Sequence, residues 1–69
     1  MTPDAVLVYL RKRGVSVHHV SPEVDGGVTI YMERNLGQME FAEYLMRQLP
    51  AVKKTREVSP GIMRVTPKP

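Results

Sequence analysis

The stretch Leu49-Pro50-Ala51-Val52-Lys53-Lys54-Thr55-Arg56-Glu57-Val58 decides how this chain folds. Upstream of it, Met39, Ala42, Leu45, Met46 and Leu49 recur at spacings of three and four, the stripe of an amphipathic helix, and Phe41 widens that stripe. Pro50 stops the helix, because it has no N–H to donate and its ring collides with the preceding turn. From Val52 the residues turn β-branched and charged, so a strand over 52–58 begins at once. A helix that ends at a proline and leads straight into a strand is one unit of a layered domain in which helices cover a sheet. The strand carries three cations, Lys53, Lys54 and Arg56. Either they guard an edge strand against unwanted pairing or they hold an anion.

Toward the C-terminus, Ser59-Pro60-Gly61 is turn chemistry, and a second strand follows over 62–66. Thr66-Pro67-Lys68-Pro69 reads as an extended end, so a single domain over 1–66 is followed by a tail at 67–69. Toward the N-terminus, Asn35-Leu36-Gly37-Gln38 fits a capping box for the helix that runs to about Leu49. On its outward side Glu43 and Arg47 form a favourable i, i+4 pair. Val28, Ile30 and Met32 alternate with Thr29, Tyr31 and Glu33, a period of two that predicts a strand over 28–34 with one face buried. Residues 15–20 are rich in β-branched side chains and predict its hairpin partner, joined through the turn-forming segment 21–27. Thr2-Pro3-Asp4 starts a first helix over about 3–13, and Arg11-Lys12-Arg13 with Gly14 ends it.

The order is therefore α-β-β-α-β-β. It predicts an α+β two-layer sandwich with two helices on one face of an antiparallel four-stranded sheet. The other sheet face is left open unless a second copy covers it.

Composition narrows the function classes. Sixty-nine residues make one domain at most. A chain this short buries roughly 60% of the surface its unfolded form exposes. There is no cysteine, so neither disulfides nor thiolate metal sites can reinforce the core, and oligomerisation through sheet pairing is the expected support. The N-terminus has no basic and apolar leader pattern, and no apolar run approaches the ~18 residues of a membrane span. A soluble, cytoplasmic protein is the expectation, with no membrane partner. The net charge of +3 hides an asymmetry. Residues 51–69 hold five cations against one acid, +4, whereas residues 1–50 hold five against six, −1. A basic end of this kind suits an anionic partner.

The run from Phe41 through Leu49-Pro50-Ala51-Val52 to Thr55 resembles the second helix and last strand of ACT-type regulatory domains, in which an apolar helix ends in Leu-Pro-Gly-Val and leads into an edge strand. The preceding helix and hairpin are similar to that family's first helix and its second and third strands, so the resemblance spans about residues 5–58. BON-type domains, with a valine-rich strand after a Gly-Gly pair like Gly26-Gly27, look similar as well. The resemblance implies a ferredoxin-like fold and a habit of pairing through sheets. The chain departs from it at the front, where the family's first strand and the glycine turn that shapes the effector site are missing. No amino-acid effector residue therefore carries over. The strand at 62–66 fills the vacant central slot, antiparallel to 52–58, which makes a circularly permuted ferredoxin-like sheet, or another subunit fills it.

Catalytic signatures are lacking. Ser16, Ser21 and Ser59 sit in no nucleophile elbow, and Asp25-Gly26-Gly27 is a hairpin turn before it is a phosphate cradle. His18 and His19 are adjacent, so a regular strand points them to opposite faces, one exposed and one packed beside Val17. Glu23 and Asp25 lie near enough in sequence to join either one at a metal, but no spacing requires it. Met32, Met39 and Met46 fall at buried positions and read as core. Tyr31 lies opposite the buried set of its strand and is a candidate contact for a base or a partner. On the strand 52–58, a period of two places Lys54 and Arg56 with Val52 and Val58, and Lys53 with Thr55 on the other side. Arg64 points away from Met63 and Val65 and falls near Lys54 or Arg56 if the turn is tight, with Lys68 beyond.

These residues predict a non-enzymatic binding or regulatory module that takes no cofactor. Its basic hairpin, Lys53, Lys54, Arg56, Arg64 and Lys68, contacts an anionic partner, nucleic acid first and an acidic protein surface second. Two other readings are a self-assembling interaction module, of the kind a phage or mobile element encodes, and an ACT-like sensor of a small ligand.

Overall fold

The computed structural model describes residues 1–69. Six elements follow one another: α1 (Pro3–Arg11), β1 (Val17–Pro22), β2 (Val28–Met32), α2 (Leu36–Arg47), β3 (Val52–Ser59) and β4 (Ile62–Pro67). The strands form one antiparallel sheet in the order β1-β2-β4-β3. Both helices pack on the same face, which gives the α+β sandwich expected from the sequence. β4 lies in the central slot between β2 and β3, so the chain fills that position itself. The arrangement is a ferredoxin-like sheet whose first strand has moved to the C-terminal end. No helix is long and apolar enough to cross a membrane.

Local chemistry explains the element ends. The Thr2 hydroxyl accepts from the Ala5 N–H at 3.3 Å, and the Asn35 side chain accepts from the Gln38 N–H at 3.0 Å. Gln38 does not reach back to close the capping box. Its side-chain oxygen instead accepts from the Ser16 N–H at 2.9 Å, tying the α1–β1 connection to the start of α2. α1 stops short of residue 13 because its end folds into a Schellman closure. Gly14 has φ +87°, its N–H donates to the Arg11 carbonyl, and the Val15 N–H donates to the Leu10 carbonyl. Val15 is thereby used in the helix ending, and β1 begins at Val17 rather than at residue 15. At the other end of the chain, β4 runs through Pro67, which pairs with Val52, and the Lys68 N–H donates to the Ala51 carbonyl at 2.8 Å. The expected tail at 67–69 is held against the start of β3.

The core lies between the helices and the inner sheet face. Val6 and Leu10 of α1 and Met39, Ala42, Leu45 and Met46 of α2 pack on Val28, Ile30, Met63 and Val65 of the two central strands. Phe41 is not part of it: it lies about 100° of helix turn from Ala42 and is 40% exposed. The buried Thr55 is satisfied by α2, its hydroxyl lying 3.1 Å from both the Glu43 carboxylate and the Arg47 guanidinium, with those two paired at 3.6 Å. Thr55 thus joins the outer part of the Glu43–Arg47 pair to β3.

Candidate nucleic-acid interface

Two β-bulges decide which charged side chains share a face. In β3, Val52 pairs with Pro67 and Lys54 with Thr66, which leaves Lys53 as the extra residue of a bulge. The inserted residue shifts the alternation by one. Val52 and Thr55 both become buried toward the helices, and Lys54 and Arg56 emerge on the opposite, open face. The period-two expectation that Lys54 and Arg56 share a face with Val52, and Lys53 with Thr55, is thereby corrected. In β1 a bulge lies between Val17 and His19, and it leaves both His18 and His19 exposed. The expectation of one exposed and one packed histidine fails for the same reason.

On the open face, two neighbouring rows of side chains run across the strands. In the first, His19 of β1 pairs with Tyr31 of β2, and Tyr31 pairs with Ile62 of β4. The His19 and Tyr31 rings lie 5.9 Å apart at a tilt of 32°. In the second, Ser21 pairs with Thr29, Thr29 with Arg64, and Arg64 directly with Arg56 of β3. Lys54, Arg56, Arg64 and Thr66 line a shallow depression of about 250 Å³, with no acidic or hydrophobic residue among them. The structure thus brings together three of the five basic residues singled out by sequence. Lys53 stands exposed at the bulge outside that depression, and Lys68 is exposed just past β4. The Lys54 and Arg56 side chains have no hydrogen-bond or ion-pair partner within the chain.

Arg64 differs from the other two, in a way that the sequence reading missed. Its guanidinium donates to Asp25 at 2.8 Å and to the Val65 carbonyl at 2.9 Å, so it enters the cationic row already part-neutralised. The β1–β2 loop makes this contact. Asp25 accepts from the Gly27 N–H at 2.8 Å, and the Glu23 carboxylate accepts from the Thr29 hydroxyl at 2.7 Å. The sequence signal was Asp25-Gly26-Gly27, an Asx turn that leaves one carboxylate oxygen free for a partner. Glu23 and Asp25, weighed as companions for the histidines, are committed to Thr29 and Arg64 instead.

The Gly27 N–H and then the Arg64 guanidinium hold the Asp25 carboxyl below its ordinary value. A carboxylate that binds its proton less readily when folded contributes stability above its ordinary pKa and loses that contribution as pH falls through the lowered one. Asp25→Asn should therefore flatten the decline of melting temperature on acidification below pH 3.8, while the wild-type chain declines more steeply. Thermal melts followed by circular dichroism over that range check it, and equal slopes would show that the loop does not hold Arg64 in solution.

The other basic run is accounted for by structure. Arg11 donates to the Val17 carbonyl at 2.9 Å, and Arg13 donates to the Tyr9 carbonyl and lies 3.9 Å over the Tyr9 ring. A larger hollow of about 300 Å³ opens between the start of α1 and the end of α2, lined by Met1, Ala5, Tyr9 and Leu49 among others. Its lining side chains are uncharged and mostly hydrophobic. The chemistry of the open face stands on its own residues, because no protein-family model, no curated protein and no solved structure matches the chain.

Proposed function

We propose that this protein is a non-enzymatic module that binds nucleic acid on the open face of its sheet, with Lys54, Arg56 and Arg64 against phosphates and Lys53 and Lys68 at the margin. The observation that carries this reading is the direct pairing of Arg56 with Arg64 beside Lys54, in a depression without an acidic wall. Like charges placed opposite one another cost stability, and an anion between them turns that cost into binding energy. Edge protection explains the cations less well. The β3 edge is already interrupted by irregularities at both of its ends, between Val52 and Lys54 and between Glu57 and Ser59, and such breaks alone discourage edge pairing. Arg64 lies on a central strand, where there is no edge to protect.

Two to three phosphate contacts give a log–log salt slope of about −1.4 to −2.7, the shallower end for a single strand, and a loss of roughly 7- to 40-fold in affinity between 50 and 200 mM salt. Fluorescence anisotropy with a labelled oligonucleotide over that range measures it. An affinity that stays level with salt would overturn the reading.

A further inference from the structure

We infer that the nucleic acid is single-stranded and that Tyr31 stacks one of its bases; this rests on the reading of the open face as a nucleic-acid surface. Tyr31 stands on a central strand in the row next to the cations, flanked by His19 on one side and Ile62 on the other. It is 38% exposed, and the His19 ring braces it at 5.9 Å. A flat aromatic and apolar row beside a cationic row matches the two sides of a single strand, whose unpaired bases offer π-faces and whose backbone offers charge.

A duplex fits this surface poorly. Neighbouring strands lie ~4.8 Å apart, so the axes of the two outer strands are about 14 Å from one another. The major groove of B-DNA is about 12 Å wide and admits a helix or a two-stranded ribbon. A four-stranded face would rest across the phosphate ridges and leave Tyr31 and Ile62 without a partner. A single strand laid along the face meets both rows at once. Its backbone follows Lys54, Arg56 and Arg64, and a base turned toward β2 covers the Tyr31 ring. The occupant is fixed by charge complementarity as well as by shape: a second copy of this chain would set one cationic row against another.

The test compares a labelled oligothymidylate long enough to cross the sheet with a duplex of the same length, at one salt concentration. Wild-type protein should bind the single strand at least roughly tenfold more tightly. Tyr31→Ala should weaken single-strand binding roughly 5- to 100-fold, the loss of one stacked base, and leave the duplex affinity and the salt slope unchanged. Tyr31→Phe keeps the ring and should bind as wild type. His19→Ala, at a bulge on an edge strand, serves as a second variant with a smaller loss of the same kind and no effect on folding. Equal, salt-steep binding of both forms, or a Tyr31→Ala variant that binds the single strand as wild type does, would overturn the stacking role while leaving a nucleic-acid surface in place. Binding of neither form would overturn both, and self-association blocked by Lys54→Glu would point to a second copy on this face.

Discussion

Gly27→Ala should largely unfold the protein. The methyl group would collide with the Val65 carbonyl oxygen and sit 2.9 Å from both the Arg64 guanidinium and the Pro67 ring. The first of these is backbone and the last a fixed ring, so neither can swing aside. Gly27 lies immediately before β2, whose first residue Val28 pairs with Val65 of β4, and relief of the collision would part the two central strands. Overpacking of this kind costs about 3 kcal/mol or more. A single core in a chain of this size supplies only about 3–5 kcal/mol, so little folded protein remains. Gly26→Ala is the control. Gly26 has φ +87°, but the nearest atom to an added methyl is the Pro67 Cγ at 3.9 Å. Its cost is the left-handed strain alone, about 1–2 kcal/mol. Urea melts of the two variants separate the effects, and a Gly27→Ala midpoint equal to that of Gly26→Ala would mean that the β1–β2 loop does not press on β4. The same glycine matters to the site, since only a residue without a side chain lets the loop lie close enough for Asp25 to hold Arg64.

The elements and their order were legible because they rest on local chemistry. α2 closes at Arg47, just before Pro50, Gly14 ends α1, and Val28, Ile30 and Met32 bury one face of β2, each for a reason that a few neighbouring residues contain. The central position of β4 was open to two answers because both answers bury the same side chains. Only pairing on both sides, with Val28 and with Thr55, assigns Val65 to this chain's own sheet. The faces of β3 and β1 were misread because a bulge has no reliable signature in a run such as Val52-Lys53-Lys54 or Val17-His18-His19. One extra residue reverses the alternation that follows it. This error had functional weight. With strict alternation Lys54 and Arg56 share a face with Val52, and with the bulge they join Arg64 on the open side. The Asp25–Arg64 pair was out of reach for a different reason: it spans 39 residues and depends on the register of a strand pair. Phe41 and the missing return bond of Gln38 show that a helix stripe and a cap pattern name positions without naming the partners that tertiary packing supplies.

Replacing Lys54 and Arg56 together by glutamate should separate binding from folding. The change takes the net charge from +3 to −1, because each replacement removes one positive charge and adds one negative. Losing two phosphate contacts at physiological salt costs roughly tenfold in affinity through counterion release alone. Placing two carboxylates where phosphates should lie adds repulsion of similar size, so the expected loss is about 100-fold, or ~2.7 kcal/mol of binding free energy. Stability should move the other way or stay level. Arg56 faces Arg64, and Arg56→Glu turns a pair of like charges into an attractive one across neighbouring strands. Both side chains are exposed, and neither bonds to the rest of the chain, so no core contact is lost. The diagnostic result is therefore a variant that melts at the same or a higher temperature than wild type and no longer retains an oligonucleotide at moderate salt. If the cations served only to keep β3 from pairing with other chains, glutamates would serve equally well. The variant would then show the same oligonucleotide affinity and salt slope as wild type, which would remove Lys54 and Arg56 from the site.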